Sequence, residues 1–291
     1  MDKSLLVFGY GYCADSLVTN LSNKNWEINV VTRNTEKIDC LRKRGVKAFQ
    51  WSDKKRIERC MRKSNTILVT VPPAGFSDPV RDEFSELFPK LPENSKLVYL
   101  SSTGVYGDHR GNWVNEKSNL NPQTSLGIFR LNAEKLWQKV SDNFGLNLII
   151  LRLAGIYGSG RSPIDKLRKG KVSVVRKPGL LFSRIHIDDI IAIIRRCLEE
   201  NGISGVYNVC DNEPASSESV MQEACRLLGY KNLEAIPIEK LNLSKTALEF
   251  YSESKKVSNK KLLEDFSYQM IHPDYFSGLK EIVAKLRNNP Q

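Results

Sequence analysis

Short runs of nearly continuous apolar residues alternate with helix-length segments through the first half of the chain. The runs are SLLVFG at residues 4–9, INVVT at 28–32, TILVTV at 66–71, KLVYLSS at 96–102 and LNLIILRL at 146–153. Strands that are apolar on both faces are typical of a parallel sheet with helices packed on both sides. The alternation therefore predicts an α/β fold built on a doubly wound parallel sheet.

The pattern changes after Tyr157, where a stretch rich in Gly, Pro and basic residues begins. It is followed by DDIIAIIRRCLEE, which predicts a helix with Asp188 as its N-terminal cap. A further strand, GVYNVC, is predicted at residues 205–210. From residue 212 onward, short helical segments alternate with irregular ones. This change indicates a smaller C-terminal lobe.

The first strand runs directly into a glycine-rich turn that opens a helical segment. The turn has the pattern GxGxxA and consists of Gly9, Tyr10, Gly11, Tyr12, Cys13 and Ala14. In such turns the first glycine allows the tight bend, the second lets the backbone approach a pyrophosphate, and the third small residue lets the helix pack on the strand. The positive end of the helix then faces the phosphates. We predict a Rossmann site for a dinucleotide here; the alternative is an ordinary glycine-containing turn.

The end of the second strand bears on which dinucleotide would bind. An NAD site usually has an acidic residue about 20 residues after the glycines, where it accepts hydrogen bonds from the ribose 2′-hydroxyl. Here the strand ends in Thr32, Arg33 and Asn34, with no carboxylate. Because a guanidinium can pair with a 2′-phosphate, NADP is favoured over NAD. The alternative is that Arg33 is a solvated residue at the strand end.

Composition excludes several other classes of protein. The net charge is +11, but the basic residues are spread among 33 acidic ones, which favours a solvated basic surface over nucleic-acid binding. No apolar run approaches the roughly 18 residues that a membrane span needs, so we expect a cytoplasmic protein. The six cysteines form no CxxC pair and the three histidines lie far apart in the sequence, so we expect neither a metal site nor disulfides.

Several segments together resemble the short-chain dehydrogenase/reductase superfamily, in its extended, epimerase/dehydratase-like branch. The segments occur in the order typical of that family and span nearly the whole chain. They are LVFGYGYCADSL, KLVYLSSTGVYGD, LIILRLAGIYGSGR, SRIHIDDIIAII, GVYNVCDNEP and VSNKKLLEDFSY.

The resemblance implies a division of the chain and a set of cofactor contacts. Residues 1–158 and 184–211 would form the NAD(P)-binding Rossmann domain, and residues 159–183 and 212–291 would form the lobe that covers the substrate cleft. The resemblance also places several segments along the cofactor. These contribute Thr70, Val71, Pro72, Ser101, Leu153 and Ala154, and Arg130 is expected to hold a ribose or a phosphate.

The catalytic positions depart from that family. Its members use a Ser or Thr that orients substrate, a Tyr that transfers a proton, and a Lys that lowers the pKa of the Tyr. Ser102 matches the hydroxyl position, whereas the Tyr and Lys positions hold Leu126 and Arg130. Leucine cannot transfer a proton, and arginine is a poor base. These departures, with the short GxGxxA turn and STGVYGDHRGNWVNE, are most similar to the atypical, YeeZ-type group of bacterial proteins.

Other residues near strand ends are candidates for a substitute acid or base. They are Tyr106, Asp108, His109 and Tyr157, and each has a structural role as its alternative. His186, in SRIHIDDI, is interpreted as a structural histidine beside a helix start.

The basic stretch between Arg161 and Lys177 borders the substrate in proteins of related fold. It holds seven basic residues and one acidic residue: Arg161, Lys166, Arg168, Lys169, Lys171, Arg176 and Lys177, with Asp165. An anionic ligand such as a nucleotide sugar would fit it, and a solvated helix and hairpin is the alternative.

Two functions are consistent with these observations. The first is an NAD(P)-dependent oxidoreductase or epimerase/dehydratase-like enzyme that acts on a small hydroxyl or carbonyl substrate, with Ser102 orienting it. The second is a catalytically silent sensor or regulatory protein that binds NAD(P), because loss of the Tyr and Lys does not affect pyrophosphate binding.

Overall fold

Strands and helices alternate through the chain in a computed structural model of the protein, which describes residues 3–22, 24–170, 174–231, 233–242, 244, 248–249 and 251–288. The strands are β1 Lys3–Phe8, β2 Trp26–Thr32, β3 Lys47–Gln50, β4 Thr66–Val69, β5 Lys96–Ser102, β6 Trp113–Val114, β7 Asn147–Leu153, β8 Gly155–Tyr157, β9 Val174–Arg176, β10 Arg184–His186, β11 Gly205–Val209, β12 Ala235–Pro237 and β13 Lys256–Val257. The helices are α1 Tyr12–Leu21, α2 Thr35–Lys43, α3 Lys54–Met61, α4 Pro79–Phe84, α5 Ser125–Phe144, α6 Pro163–Arg168, α7 Ile187–Glu199, α8 Ser217–Leu228, α9 Lys260–Asp265 and α10 Tyr275–Asn288. None of the described helices is long and apolar enough to cross a membrane.

A seven-stranded sheet has the strand order β11, β7, β5, β4, β1, β2, β3. β1 pairs in parallel with β2 on one side and with β4 on the other, so that Leu6 lies beside both Asn29 and Ile67. The chain therefore winds to one side of β1 first and to the other side afterwards. In doubly wound sheets ligands bind outside the carboxyl ends of the strands where this reversal occurs, here between β1 and β4. The predicted doubly wound parallel fold is confirmed.

The strands predicted for the seven-stranded sheet agree with the observed ones to within a few residues, with one omission. β3 is four residues long and begins and ends with the polar Lys47 and Gln50, so it lacks the continuous apolar run that marks the other strands. The short strands β6, β8, β9, β10, β12 and β13, outside that sheet, were not predicted. The prediction that Asp188 is the N-terminal cap of α7 is wrong. The helix begins at Ile187, so Asp188 lies inside the first turn.

Side-chain caps explain where several helices begin and end. The Asn34 side chain accepts a hydrogen bond from the Lys37 amide at the start of α2, and Asp53 accepts one from Arg56 at the start of α3. α8 begins after Ser216 and ends at Gly229, whose φ of +72° is the left-handed conformation common after a helix. These local signals fix the helix bounds around the strand ends.

The first of two compact units comprises residues Met1–Ser102, Ser125–Arg152 and Ile191–Tyr207. Its core is rich in aromatic side chains, including Phe8, Phe84 and Trp137. The Trp137 indole donates to the buried Asp78 carboxylate at 2.9 Å, so the polar edge of the ring is satisfied inside the core. We call this part unit 1.

The second unit comprises Thr103–Thr124, Leu153–Ile190 and Asn208–Gln291, and we call it unit 2. Small parallel pairs form within it, β8 with β10, β9 with β12 and β6 with β13. Its core joins apolar faces of α6, α8 and α10. The sequence-based assignment of residues to a nucleotide domain and a substrate lobe stays a prediction.

Candidate nucleotide-binding site

The glycine-rich turn joins β1 to α1 at the carboxyl edge of the sheet in unit 1. The Gly9 amide donates to the Val31 carbonyl at the end of β2 over 2.9 Å, and the Thr70 amide donates to Phe8 at the end of β1 over 2.9 Å. The ends of β1, β2 and β4 are therefore held together at the turn. Ala14 is fully buried, as its predicted role in packing the helix on the strand requires.

The two glycines of the turn meet different surroundings. Gly9 has a φ of +92°, and a Cβ on it would lie 2.7 Å from Thr70 Oγ1 and 2.9 Å from Val71 Cγ2. Gly11 has an extended backbone, with φ −103° and ψ −166°, and an added Cβ would meet no described atom within 4 Å. The fold therefore requires glycine at position 9. At position 11 neither the backbone conformation nor packing within the described chain requires glycine. Close approach of a ligand is the remaining reason for a glycine at this position.

The structure brings several of the predicted cofactor residues together. Thr70 and Val71 follow β4 and lie against Gly9, and Thr70 Oγ1 donates to the Phe8 carbonyl at 3.1 Å. Pro72 follows them and is exposed. These residues surround the turn at the reversal point of the sheet, where the fold class places a dinucleotide.

Arg33 lies at the carboxyl end of β2, and its guanidinium is stacked 4.5 Å above the Trp51 ring. The side chain is exposed. Stacking on an indole holds a guanidinium plane in place while its N–H groups stay at the edge of the ring. Trp51 was missed by sequence reasoning because it follows β3, the strand that the apolar pattern did not reveal.

A polar cluster beside the turn was also not predicted. Tyr10 donates from its hydroxyl to Asp15, while Arg44 donates to the Tyr10 oxygen at 2.7 Å and to the Asp15 carboxylate at 2.8 Å. Lys37 donates to the Tyr10 carbonyl at 2.7 Å. Burial alone would raise the pKa of Asp15, but the hydrogen bonds from Tyr10 and Arg44 outweigh it and lower that pKa. The cluster therefore fixes the turn and leaves a paired carboxylate beside the first turn of α1.

Two residues predicted to contact the cofactor, Ser101 and Arg130, belong to hydrogen-bond networks within unit 1. The Ser101 hydroxyl donates to Glu134, which forms a buried ion pair with Arg152 at 2.7 Å. Arg130 donates from one guanidinium nitrogen to the Tyr99 hydroxyl at 2.9 Å and to the Leu100 carbonyl at 3.0 Å. Both networks fasten α5 to β5, so the arginine at the family's lysine position is anchored to the sheet.

The position of the family's tyrosine is open to solvent. Leu126 lies in the first turn of α5 and is 66% exposed. Ser102 is the last residue of β5 and is partly buried. Unit 1 therefore carries Ser102 as a candidate hydroxyl for orienting a ligand. Leu126, which is apolar, stands at the position where the family usually has a proton donor.

Unit 2 holds the alternative acid and base candidates. Tyr106 is fully buried, and its hydroxyl donates to the Asn208 side chain at 2.7 Å. The Tyr157 hydroxyl donates to the Asp274 carbonyl at 3.3 Å, and burial raises the pKa of that phenol. His109 Nε2 lies 3.2 Å from the Tyr106 carbonyl oxygen. These contacts support structural roles for both tyrosines.

The other predicted residues of unit 2 lie at strand ends, in or beside α6, and around a cavity. Leu153 and Ala154 are buried where β7 ends, and the Ala154 amide donates to Val209 at 3.0 Å. A cavity of about 210 Å³ is lined in part by Arg176, Lys177 and the Phe182 and Tyr251 rings. Of the predicted basic stretch, Lys171 lies outside the described residues.

Two of the basic side chains at this cavity are already partnered. Arg176 forms two hydrogen bonds to Glu218, at 2.9 and 3.1 Å, and Lys177 donates to the Tyr251 carbonyl at 2.6 Å. The cavity therefore combines aromatic surface with basic groups that are held in position.

Comparison with known sequences identifies a family. A model of the NAD dependent epimerase/dehydratase family matches residues 5–210. Protein YeeZ of Escherichia coli K12 is 25% identical over 242 residues, which cover 79% of this chain and 85% of that protein. A dTDP-D-glucose 4,6-dehydratase of Dictyostelium discoideum is 30% identical over 133 residues, which cover 39% of this chain and 31% of that protein.

Solved structures share the whole fold. A functionally unknown conserved protein from Silicibacter pomeroyi DSS has a TM-score of 0.89 at 34% identity, covering 97% of this chain and 99% of that one. UDP-glucose 4-epimerase of Thermotoga maritima, solved with UDP-glucose, has a TM-score of 0.80 at 18% identity, covering 99% and 100%. The human epimerase family protein SDR39U1, solved with NADPH, has a TM-score of 0.75 at 17% identity, covering 97% and 100%. The last two likenesses concern the fold alone.

Proposed function

The chain belongs to the NAD dependent epimerase/dehydratase family, and we propose that it is an NADP(H)-binding oxidoreductase or epimerase-like enzyme that works without the family's Tyr and Lys. Its substrate would be a small hydroxyl or carbonyl compound that carries negative charge. The dinucleotide site is the best supported part of the proposal.

The observation that carries this proposal is the open space above Gly11. A glycine with extended backbone and no described neighbour within 4 Å of its missing Cβ is explained by a ligand that must approach the backbone closely. The same turn leads into the N-terminus of α1, where the helix dipole favours a pyrophosphate. Gly9, Thr70 and Val71 hold the turn in the shape that this contact needs.

Arg33 supports NADP over NAD. Its guanidinium is stacked on Trp51, and within the described ranges it forms no ion pair with a carboxylate, so its N–H donors face solvent at the strand end where a 2′-phosphate would lie. The three positions directly after β2 are Arg33, Asn34 and Thr35, so no carboxylate stands at the strand end to accept a ribose hydroxyl. NADPH is also the cofactor named in the human SDR39U1 structure.

The chemistry would use few residues of this chain. A nicotinamide cofactor supplies hydride transfer when bound. Ser102 would orient the substrate through its hydroxyl, and Arg130, anchored by Tyr99, would hold a cofactor hydroxyl or phosphate with its remaining N–H donors. Leu126 cannot donate a proton, so turnover should be slow compared with that of relatives that keep the tyrosine.

The cavity in unit 2 supports an anionic substrate. Arg176 and Lys177 line it together with the Phe182 and Tyr251 rings, whose centroids are 5.9 Å apart. Aromatic faces and basic side chains are what a nucleotide sugar would need. UDP-glucose is the ligand named in the Thermotoga maritima structure.

A second function is favoured by one observation, the exposed Leu126 on α5. A protein that has lost the proton donor but keeps the dinucleotide turn could act as a sensor, because pyrophosphate binding does not involve Leu126. Cofactor occupancy would then be its signal.

Cofactor binding is tested by titrating the protein with NADPH and with NADH in a calorimeter. Arg33→Ala should weaken NADPH by roughly 10- to 150-fold, which corresponds to about 1.5–3 kcal/mol for a charged hydrogen bond, and should leave NADH nearly unchanged. Arg62→Ala, which removes another exposed arginine of unit 1, is the matched control. Equal losses for both cofactors would make Arg33 a structural residue, and no binding of either would reject the site.

Turnover is tested by following NADPH absorbance against a panel of nucleotide sugars and small ketones. Wild type should be slow, Ser102→Ala slower, and Leu126→Tyr combined with Arg130→Lys faster by about 10²- to 10⁴-fold if the missing acid limits the rate. Wild-type turnover unaffected by Ser102→Ala would reject the role of Ser102. Absence of turnover in both wild type and the double variant, with NADPH binding intact, would favour the sensor function over the enzyme.

A further inference from the structure

Two histidines and an aspartate that are distant in the sequence meet in unit 2. His186 ends β10, Asp188 lies in the first turn of α7, and His272 precedes α10 by a few residues. A ligating atom from each of the three lies within 4.8 Å of the others. None of these residues belongs to the nucleotide site or to the proposed chemistry.

The distances match the spacing of ligands around one small cation. Asp188 Oδ2 lies 3.7 Å from His186 Nδ1 and 3.5 Å from His272 Nε2. Zinc binds histidine nitrogen and aspartate oxygen at 2.0–2.2 Å in tetrahedral sites, which puts neighbouring ligand atoms about 3.3–3.6 Å apart. The two distances from Asp188 are therefore within tenths of an ångström of this spacing, and the two histidine nitrogens, which lie within 4.8 Å of each other, need only move closer together to share one ion.

The two ring nitrogens of His186 differ in their partners. His186 is 1% exposed, and its Nδ1, the nitrogen that faces Asp188, accepts a long hydrogen bond of 3.3 Å from the Asp188 amide. A metal ion at Nδ1 would replace this weak contact. Nε2 has no hydrogen-bond partner among the described residues, and an ion at Nδ1 would leave it so.

The segment that carries His272 is held in place by a neighbouring carboxylate. Asp189 is fully buried and accepts hydrogen bonds from the Ile271 amide at 2.8 Å, the His272 amide at 3.0 Å and the Tyr268 hydroxyl at 2.7 Å. The backbone of His272 is thereby fixed beside α7. Supporting contacts of this kind orient ligand side chains in metal sites.

Within the described chain, Lys285 is the one cation already paired with the cluster, and it has a second acidic partner. Its Nζ lies 3.1 Å from Asp188 Oδ2 and also 3.1 Å from Glu281 Oε1, and the side chain is half exposed. If an ion took its place at Asp188, the ammonium would keep Glu281 as its partner. Lys285 therefore competes with a metal ion without excluding it.

We propose that His186, Asp188 and His272 form a binding site for Zn²⁺, with water as the fourth ligand. Two imidazoles and one carboxylate are a donor set that zinc accepts. The ion would tie the end of β10 and the start of α7 to the segment before α10. This departs from the expectation, drawn from sequence spacing, that the chain holds no metal.

The test uses the full chain, stripped with a chelator and titrated with Zn²⁺ by calorimetry and with Co²⁺ by visible absorption. Wild type should bind one ion. His272→Ala and Asp188→Asn should each weaken binding at least tenfold, and Lys285→Met should strengthen it. His109→Ala removes the remaining histidine of the chain and should leave binding unchanged.

Thermal unfolding keeps the interpretation independent of folding defects. Zn²⁺ should raise the melting temperature of wild type and of His109→Ala, because an ion that binds only the folded state stabilises it, and should not raise that of Asp188→Asn or of the conservative His272→Gln. Absence of wild-type binding at about 1 mM free Zn²⁺ would overturn the proposal. Equal affinity of wild type and the folded ligand variants would overturn it as well.

Discussion

The two glycines of the β1–α1 turn should respond to substitution in opposite ways. Gly11→Val places a side chain where no described atom lies within 4 Å and where the backbone is extended, so the fold can accept it. Position 11 is the N-cap of α1 but makes no side-chain cap, so the cost in free energy of unfolding should not exceed about 1 kcal/mol. The valine would block backbone approach to the pyrophosphate. Loss of one charged hydrogen bond costs about 1.5–3 kcal/mol, which weakens binding by roughly 10- to 150-fold.

Gly9→Ala should damage the fold. An L-residue at a φ of +92° costs about 1–3 kcal/mol, and the new Cβ would stand 2.7 Å from Thr70 Oγ1 and 2.9 Å from Val71 Cγ2. The ends of β1 and β4 would have to separate. The free energy of unfolding should therefore fall by more than the backbone cost alone.

Urea denaturation measures the first effect, and calorimetric titration with NADPH measures the second. We expect Gly11→Val to unfold close to wild type and bind NADPH at least tenfold more weakly, and Gly9→Ala to unfold at clearly lower urea. Wild-type affinity in Gly11→Val would refute the assignment of the turn. A Gly11→Val protein as unstable as Gly9→Ala would refute the claim that the space above Gly11 is open.

Three further substitutions test the packing. Glu134→Ala should lower the free energy of unfolding by about 3–5 kcal/mol in urea, because it removes the carboxylate partner of the buried Arg152 guanidinium; a loss under 1 kcal/mol would contradict this. Burial raises the pKa of Asp211 to about 8. Between about pH 4 and pH 8 the folded state therefore keeps a proton on Asp211 that the unfolded state has released. The free energy of unfolding of wild type should fall as the pH rises through this range. Asp211→Asn should therefore raise the melting temperature at pH 8.5 and not at about pH 4; the same gain at both would contradict it. Gly107→Ala should yield little folded protein by circular dichroism, because its Cβ would lie 1.9 Å from the Asn121 carbonyl oxygen.

The sequence by itself determined the sheet and the position of the turn. Runs such as LLVF and ILV are apolar at consecutive positions, and a strand covered on both faces buries such a run. GYGYCA likewise follows a strand and opens a helix, so its neighbours along the chain define its setting. These signals are local, and each was readable without knowing what lies across the fold.

Tertiary structure decided which distant residues meet. Trp51 lies beneath Arg33 because β3 pairs with β2 at the sheet edge. β3 has too few apolar residues to be predicted as a strand from the sequence. The Tyr99 hydroxyl anchors Arg130 only because α5 packs on β5. His186 and His272 gave no spacing signal, since 86 positions separate them. Contacts of this kind depend on strand order and helix packing, which bring chain segments together by burying apolar surface without regard to their separation in sequence.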